Sequence, residues 1–391
     1  MSSNKVLNIK DLERIFYQRL NFNLESRLVL NAFYGIAAFV KNFLRDDLIY
    51  QPSEGRTLCL ISTFNQEQVM TPIIRNLGGC LVLNTYDKSL KGKSILSLRD
   101  KIFGMALSPR KIKFLINHPH LLRDIFWFFY AETILERIKE FIIIHKISRL
   151  IVASDHGIVQ SLFTVAIREL KVKSYYIQHG MVTEKFPALE YDYFFAYGER
   201  SIGSYSSLNK SIKCLPVGKV YAIKKNGIPN MSCEIGLSIN MLDCMVRIND
   251  LIDRLKIKFP DKQIIVRPHP RLKDTSCLKG VIFRGPIEEY FANIAFHIAG
   301  DSSIHLDSIF YDTPTYYSDL LDESYTTLKD GYGFLGSGLV ESFKFENSWK
   351  LRGNDSAIAQ QYIANIETKT SPVDVIIETI LHDKVSVTDQ G

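Results

Sequence analysis

Four short polar segments each follow a short apolar run, and each gathers residues that can move a proton or hold an anion. Gln178-His179-Gly180 follows Ser174-Tyr-Tyr-Ile177. An imidazole with a pKa of about 6.5 accepts a proton at neutral pH, so His179 is a candidate general base. A His-Gly pair is also a common turn. Arg267-Pro268-His269-Pro270-Arg271 follows Gln263-Ile-Ile-Val266. Its two prolines hold the backbone extended and fix the position of His269. A pinned imidazole can stabilise or protonate a leaving phosphate, and a guanidinium such as Arg267 can grip phosphate with two parallel bonds. The competing reading is a solvent-exposed turn.

The third segment, Gly300-Asp301-Ser302-Ser303-Ile304-His305-Leu306-Asp307, follows the run Ala295–Ala299 and opens a helix near Ser303. Asp and Ser are favoured helix caps whatever the function. The same amides and hydroxyls, at Ser302 and Ser303, also suit a diphosphate, and Gly300 lets the backbone approach a ligand. Asp307, one turn into the helix, can hold a ribose or acceptor hydroxyl, or simply favour the helix dipole. The fourth segment is Ser154-Asp155-His156-Gly157, after Arg149–Ala153. It reads as a helix cap or as a second source of a base, Asp155. Glu184 and Glu190, in the loop after His179, are substitute bases or ordinary solvated carboxylates.

Placing these segments requires strands that end where they begin. Residues 1 to about 50 read as mixed amphipathic helix. Strand-like runs follow at 56–62 and 80–83, a long helical stretch fills about 95–146 with breaks at Pro109 and Pro119, and strands return at 149–153, 174–177 and 193–196. The stretch from Lys219 to Ser232 has little periodicity and reads as a linker. Beyond it strands at 235–241, 263–266, 281–283, 295–298 and 315–317 alternate with helices, and the last forty residues read as helical. Strands separated by helical patterns imply parallel βαβ sheets, with ligands at their carboxyl ends. The expected layout is an N-terminal α/β domain at 1–220 with a helical insert, a second α/β domain at 232–350, and C-terminal helices at 351–391 able to pack back on the first domain.

Bulk properties narrow the class. With 391 residues the chain is long enough for two domains, and 46% hydrophobic with 23% charged residues is globular rather than disordered. A net charge of +6 favours anionic partners such as phosphate or an acidic membrane surface, without the basic runs expected of a nucleic-acid binder. Six scattered cysteines show neither metal-ligand spacing nor a disulfide pattern, which suits a reducing cytoplasm. The N-terminus lacks a signal-peptide core, and no run reaches the roughly 18 apolar residues of a membrane span.

In order, Gln178-His179-Gly180, Arg267-Pro268-His269-Pro270 and Asp301-Ser302-Ser303 with Asp307 resemble GT-B transferases of bacterial surface polymers. Two branches look similar over about residues 149 to 318. Bacterial sialyltransferases and polysialyltransferases carry an acidic-acidic-Gly motif, His-Pro and a Ser-Ser pair. Glycerophosphotransferases of teichoic acid synthesis carry His-Gly, His-Pro, and Ser-Ser followed four residues later by Asp. Gln178-His179 and the Ser303-to-Asp307 spacing match the second branch, whereas the region 149–180 looks more like the first.

The resemblance implies a GT-B-like α/β protein with two Rossmann-like doubly wound domains facing a cleft, the first (1–220) on the acceptor side and the second (232–350) binding the nucleotide donor. It implies transfer of a nucleotide-activated sugar or polyol phosphate, CMP- or CDP-linked, onto a glycan or lipid-linked glycan by inverting single displacement. His179 or Asp155 is then the base, His269 assists the leaving group, and Arg267, Ser302, Ser303, Gly300 and Asp307 line the nucleotide. The lack of an acidic metal motif suits chemistry without metal or cofactor. Expected partners are a nucleotide-sugar donor, a glycan acceptor and an anionic membrane surface, with peripheral attachment at the cytoplasmic face. Two rivals remain: a UDP-sugar 2-epimerase-like enzyme, which needs no acceptor, and a non-catalytic glycan- or nucleotide-binding assembly factor.

Overall fold

The computed structural model describes residues 7–16, 35–36, 46–47, 56–84, 93–94, 96–105, 108–154, 157–182, 186, 188–206, 212–220, 234–240, 243–270, 272–311, 313–321, 333–335, 337–345, 356–365 and 370–383. Asp155, His156, Glu184 and Arg271 lie outside the described residues.

Two six-stranded parallel sheets carry the fold. The first contains β1 (Thr57–Ile61), β2 (Cys80–Asn84), β3 (Arg149–Val152), β4 (Lys173–Ile177), β5 (Tyr193–Ala196) and β6 (Lys213–Pro216), in the order β2-β1-β3-β4-β5-β6. The second contains β7 (Ile235–Ile239), β8 (Ile264–Pro268), β9 (Val281–Ile282), β10 (Phe296–Ala299), β11 (Thr315–Tyr317) and β12 (Glu341–Ser342), in the order β9-β8-β7-β10-β11-β12. Every pairing in both sheets is parallel. Parallel strands are covered on both faces, so they read as continuous apolar runs. All four residues of β5 and of β10 are buried accordingly. The chain reverses direction across each sheet at one point, between β1 and β3 and between β7 and β10. Crevices open at such points, beyond the carboxyl ends of the strands.

Local chemistry sets the helices that frame these crevices. The first helix of the described chain, α1 (Ile9–Ile15), is capped by Asn8, whose side chain accepts from Asp11 N. Helix α2 (Phe64–Leu77) begins at Thr63, whose hydroxyl accepts from Gln66 N, and ends at Gly78 with φ +60°. The helical insert holds α3 (Leu98–Phe103), closed by a Ser97–Asp100 capping box, then α4 (Pro109–Asn117) and α5 (Ile125–Ile144). Helix α6 (Ile158–Leu170) follows β3 and α7 (Glu199–Ser206) follows β5. In the second half, α8 (Met245–Lys258), α9 (Ile287–Ala292) and α10 (Ile304–Phe310) connect the strands. Helix α11 (Ser356–Tyr362) lies against α7. Helix α12 (Pro372–His382) returns to the first sheet, burying Ile376 and Ile380 with Val69, Met70 and Ile73 of α2. Asp383, just past α12, accepts hydrogen bonds from the hydroxyls of Tyr175 (2.9 Å) and Tyr193 (3.2 Å). No helix among the described residues is long and apolar enough to cross a membrane.

The two sheets meet at an apolar seam. Met181 and Tyr197, beyond β4 and β5, share one core cluster with Leu306, Ile309 and Phe310 of α10, and with Ala359, Tyr362 and Ile363. Inside the seam the Lys219 ammonium donates to Asp307 Oδ1 and lies 5.8 Å from the Tyr197 ring centroid. Its backbone N–H donates to Asn365 Oδ1 at 3.1 Å. Lys219 opens a stretch that reads as a linker in sequence, yet it is 1% exposed. A buried charge must find a partner, and this one finds it in the other domain. Lys219→Met should therefore lower stability by about 3 to 5 kcal/mol, because it strands the Asp307 carboxylate. Lys219→Met with Asp307→Leu should recover most of that loss in denaturant unfolding. Additive losses in the double variant would show that the two groups are not coupled.

Candidate functional site

At the second sheet's reversal point, β10 runs into Gly300 and the turn Asp301-Ser302-Ser303, and α10 follows. The first bonds of α10 span three residues: His305 N–H donates to Ser302 O (3.3 Å) and Leu306 N–H to Ser303 O (3.0 Å). A structural cap would employ a serine hydroxyl. Ser303 sits at the cap position with no side-chain cap bond, and Ser302 Oγ accepts from Ile304 N only at 3.5 Å. Both serines are half-buried, and their hydroxyls are not consumed in closing the helix. The helix itself is seven residues long, so it brings no long helix dipole to this turn.

Beside it, β8 delivers the Arg-Pro-His segment. Pro268 pairs with Ile239 in the sheet, His269 N–H donates to Ile239 O at 2.9 Å, and His269 O accepts from Leu272 N at 2.8 Å. These bonds hold the His269 backbone on both sides, as its flanking prolines imply. Arg267 is half-buried and donates from Nη1 to Gly285 O at 2.7 Å. Its guanidinium lies 5.6 Å from the Tyr290 ring centroid and 5.9 Å from that of Phe283. Burial pushes its pKa down, opposed by Tyr290, Asp307 and Glu288, and it stays a cation. Asp307 spends Oδ1 on Lys219, so the structure ties to the domain seam the carboxylate expected to meet a ligand.

In the first domain, Gln178 is fixed and His179 follows it. The Gln178 amide donates to Gly180 O (2.8 Å) and Ser201 Oγ (3.0 Å), while its carbonyl accepts from Tyr197 N (2.6 Å). Gln178 thus shapes the loop that carries the half-buried His179. A Cβ added to Gly180 would meet nothing within 4 Å, so this loop borders open space. Met181, two residues after His179, packs in the seam cluster with α10. The His-Gly loop and the helix that follows the serine turn are therefore built onto the same seam. Glu190 is committed to Arg168 at 2.9 Å.

Several residues at these sites carry no signal in sequence. At the first sheet's reversal point Gln160 of α6 donates to Ser62 Oγ, and Gln66 of α2 accepts from Ser62 N at 2.8 Å. Two helix starts nearly a hundred residues apart are thereby clasped together. Gly157 starts α6, and a Cβ there would fall 2.2 Å from Gln160 Oε1. Tyr311, stacked on Phe291 at 5.2 Å, buries a hydroxyl that has no hydrogen-bond partner among the described residues. Burial, then Glu288 and Asp307, push its pKa up. Among the described residues no three His, Cys, Asp or Glu side chains gather to hold a metal ion.

No protein-family model matches the sequence, and no curated protein matches it. Solved structures do match the fold. The glycosyltransferase of kitacinnamycin aligns over 85% of this chain and 99% of its own with a TM-score of 0.50 and 8% identity. A UDP-GlcNAc 2-epimerase from Neisseria meningitidis, solved with UDP-GlcNAc bound, aligns over 83% and 99% with a TM-score of 0.46 and 13% identity. The wall teichoic acid polymerase TagF aligns over 97% and 98% with a TM-score of 0.44 and 11% identity. The chain has the GT-B fold: two Rossmann-like α/β domains, each with its own parallel sheet.

Two histidines near the serine turn give the C-terminal domain a pH signature. His297 and His305 are fully buried, and burial pushes His305 down to about 4 and His297 well below the usual imidazole range. In the unfolded chain both titrate at about 6.5. Between the folded and unfolded values the unfolded state binds more protons, so stability rises with pH there. It is fully present above about 6.5 and drains away as pH falls. At pH 5 His305 alone should cost about 2 kcal/mol relative to pH 7. Denaturant unfolding at pH 7, 6 and 5 measures this, and equal stability at the three values would contradict neutral burial of these rings.

Proposed function

We propose that this chain is a glycosyltransferase of capsule, lipopolysaccharide or related surface-glycan biosynthesis. It moves a nucleotide-activated sugar or polyol phosphate, CMP- or CDP-linked, onto a glycan acceptor by inverting single displacement. The observation that carries the reading is the serine turn. On a GT-B scaffold, at the reversal point of the C-terminal sheet, the Ser303 hydroxyl makes no cap bond and the Ser302 hydroxyl only a long one at 3.5 Å.

In this reading Ser302 and Ser303 donate to the donor's phosphates, and Gly300 brings the chain into the turn. His269, with its backbone held on both sides, donates to the leaving phosphate, and Arg267 adds positive potential from behind it. Asp307 keeps Lys219 on Oδ1 and offers its other oxygen to a ribose or acceptor hydroxyl. His179 takes the proton from the attacking acceptor hydroxyl, with Asp155 as the alternative base. The displacement forms the bond from acceptor oxygen to the transferred group and breaks that group's bond to the nucleotide phosphate, which leaves with the charge.

Each serine is testable by itself. Ser302→Ala and Ser303→Ala should each weaken nucleotide binding about ten- to a hundred-fold, the size of a lost hydrogen bond to a charged group. Stability without nucleotide should change by less than about 1 kcal/mol, because neither hydroxyl makes a strong cap. His269→Ala should bind nucleotide and lower turnover about 10²-fold. Calorimetric titration with CMP, CDP, UDP and GDP decides the first point: if both serine variants bind as tightly as the parent, the donor site is not at this turn.

A further inference from the structure

A chain of buried polar side chains runs through the C-terminal domain and ends on the serine turn. Ser238 of β7 lies 3.3 Å from the Tyr290 hydroxyl and 2.9 Å from His297 Nε2. His297 Nδ1 lies 3.0 Å from Thr315 Oγ1, and Thr315 Oγ1 lies 2.6 Å from His305 Nδ1. His305 Nε2 reaches the carbonyl of Gly300 at 2.9 Å. All of these side chains except Tyr290 sit on strands β7, β10 and β11 or on α10, and all are buried. Fully apolar residues would pack a parallel sheet at less risk, since a buried polar group without a partner is costly.

Counting protons from the Gly300 carbonyl fixes the Thr315 hydroxyl and both imidazoles. A carbonyl only accepts, so His305 Nε2 carries the proton and donates to Gly300. His305 Nδ1 is then bare and takes the single proton of the Thr315 hydroxyl. Thr315 Oγ1 can only accept from its other neighbour, so His297 carries its proton on Nδ1. His297 Nε2 is left bare, 2.9 Å from the Ser238 hydroxyl, which also donates to the Tyr290 oxygen. Two adjacent neutral imidazoles are thus locked in opposite tautomers. The Gly300–Asp301 peptide is planar and trans, so holding its carbonyl inward also sets the direction of the Asp301 N–H.

We infer that His305 is a positioning residue for the Ser302–Ser303 turn, and that Thr315 and His297 enforce the tautomer in which it works. His305 touches no ligand in this scheme. It acts by holding the peptide from which the turn departs. The inference rests on the assignment of that turn to donor phosphates.

Two measurements test it together. Long-range proton–nitrogen spectra of protein labelled at histidine should show one buried ring protonated on Nε2 and one on Nδ1. His305→Gln keeps a donor near the Nε2 position and should bind the best of CMP, CDP, UDP and GDP within about threefold of the parent. His305→Asn places its amide nearer the Nδ1 position, leaves the Gly300 carbonyl bare and should weaken binding about tenfold or more. Thr315→Ser should behave as the parent and Thr315→Val as His305→Asn, with circular dichroism confirming that each variant is folded. If the two rings share one tautomer, or if the Gln and Asn variants bind nucleotide equally well, the positioning role is wrong and the donor site stands. If the parent binds none of the four nucleotides, the donor assignment and the positioning role fall together.

Discussion

An ammonium group carried into a domain seam must be met there by a carboxylate, and Lys219 is met by Asp307. The rest of the arrangement hangs on that pair. Lys219 leaves the first sheet just after β6, and Asp307 belongs to the helix that begins at the serine turn. Apolar contacts among Met181, Leu306, Ile309 and Tyr362 give the seam area, but such contacts tolerate sliding. A buried ion pair does not, because any displacement exposes each charge to the full cost of lost solvation. The loop carrying His179 and the turn carrying Ser302 and Ser303 thus belong to elements that this buried ion pair helps to register.

The polar residues of the C-terminal domain obey the same rule at shorter range. His297 occupies the centre of a four-residue strand that is buried throughout, and His305 lies on the inner face of α10. Each ring nitrogen has a partner, and the path of partners leads to the Gly300 carbonyl. Burial keeps both rings neutral, which makes them fixed donors and acceptors at physiological pH. Arg267 adds a cation held by the Gly285 carbonyl and two aromatic faces. The turn at Gly300 is therefore backed by a buried polar layer in place of the aliphatic packing usual under a parallel sheet.

Much of the fold was legible because buried parallel strands are short apolar runs separated by helical patterns. Arg149–Ala153 reads as a strand, and Arg149–Val152 is one. The polar segments beyond such runs are legible for the same reason, since a strand's end is where a doubly wound sheet opens. Partnerships are not legible. Lys219 stands in a stretch without periodicity, and nothing local says that its partner is 88 residues away. Ser62 and Gln160 are separated by 98 residues. His305, between Ile304 and Leu306, looks like a polar interruption of an apolar helix, and only the packing of α10 on β11 reveals Thr315 beside it. Asp307 shows the converse: its spacing from Ser303 suggests a ligand contact, whereas its first partner is the lysine of the seam.

The proposed activity is transfer of a group from a nucleotide to a glycan hydroxyl. The direct measurement is release of free nucleotide from CMP-, CDP-, UDP- and GDP-linked donors, followed by chromatography with and without a bacterial surface-glycan acceptor. One donor should be consumed, its nucleotide should appear in step with elongation of the acceptor, and both should stop when the acceptor is withheld. A nucleotide sugar isomerised in the absence of acceptor, or four donors left intact in its presence, would contradict that activity.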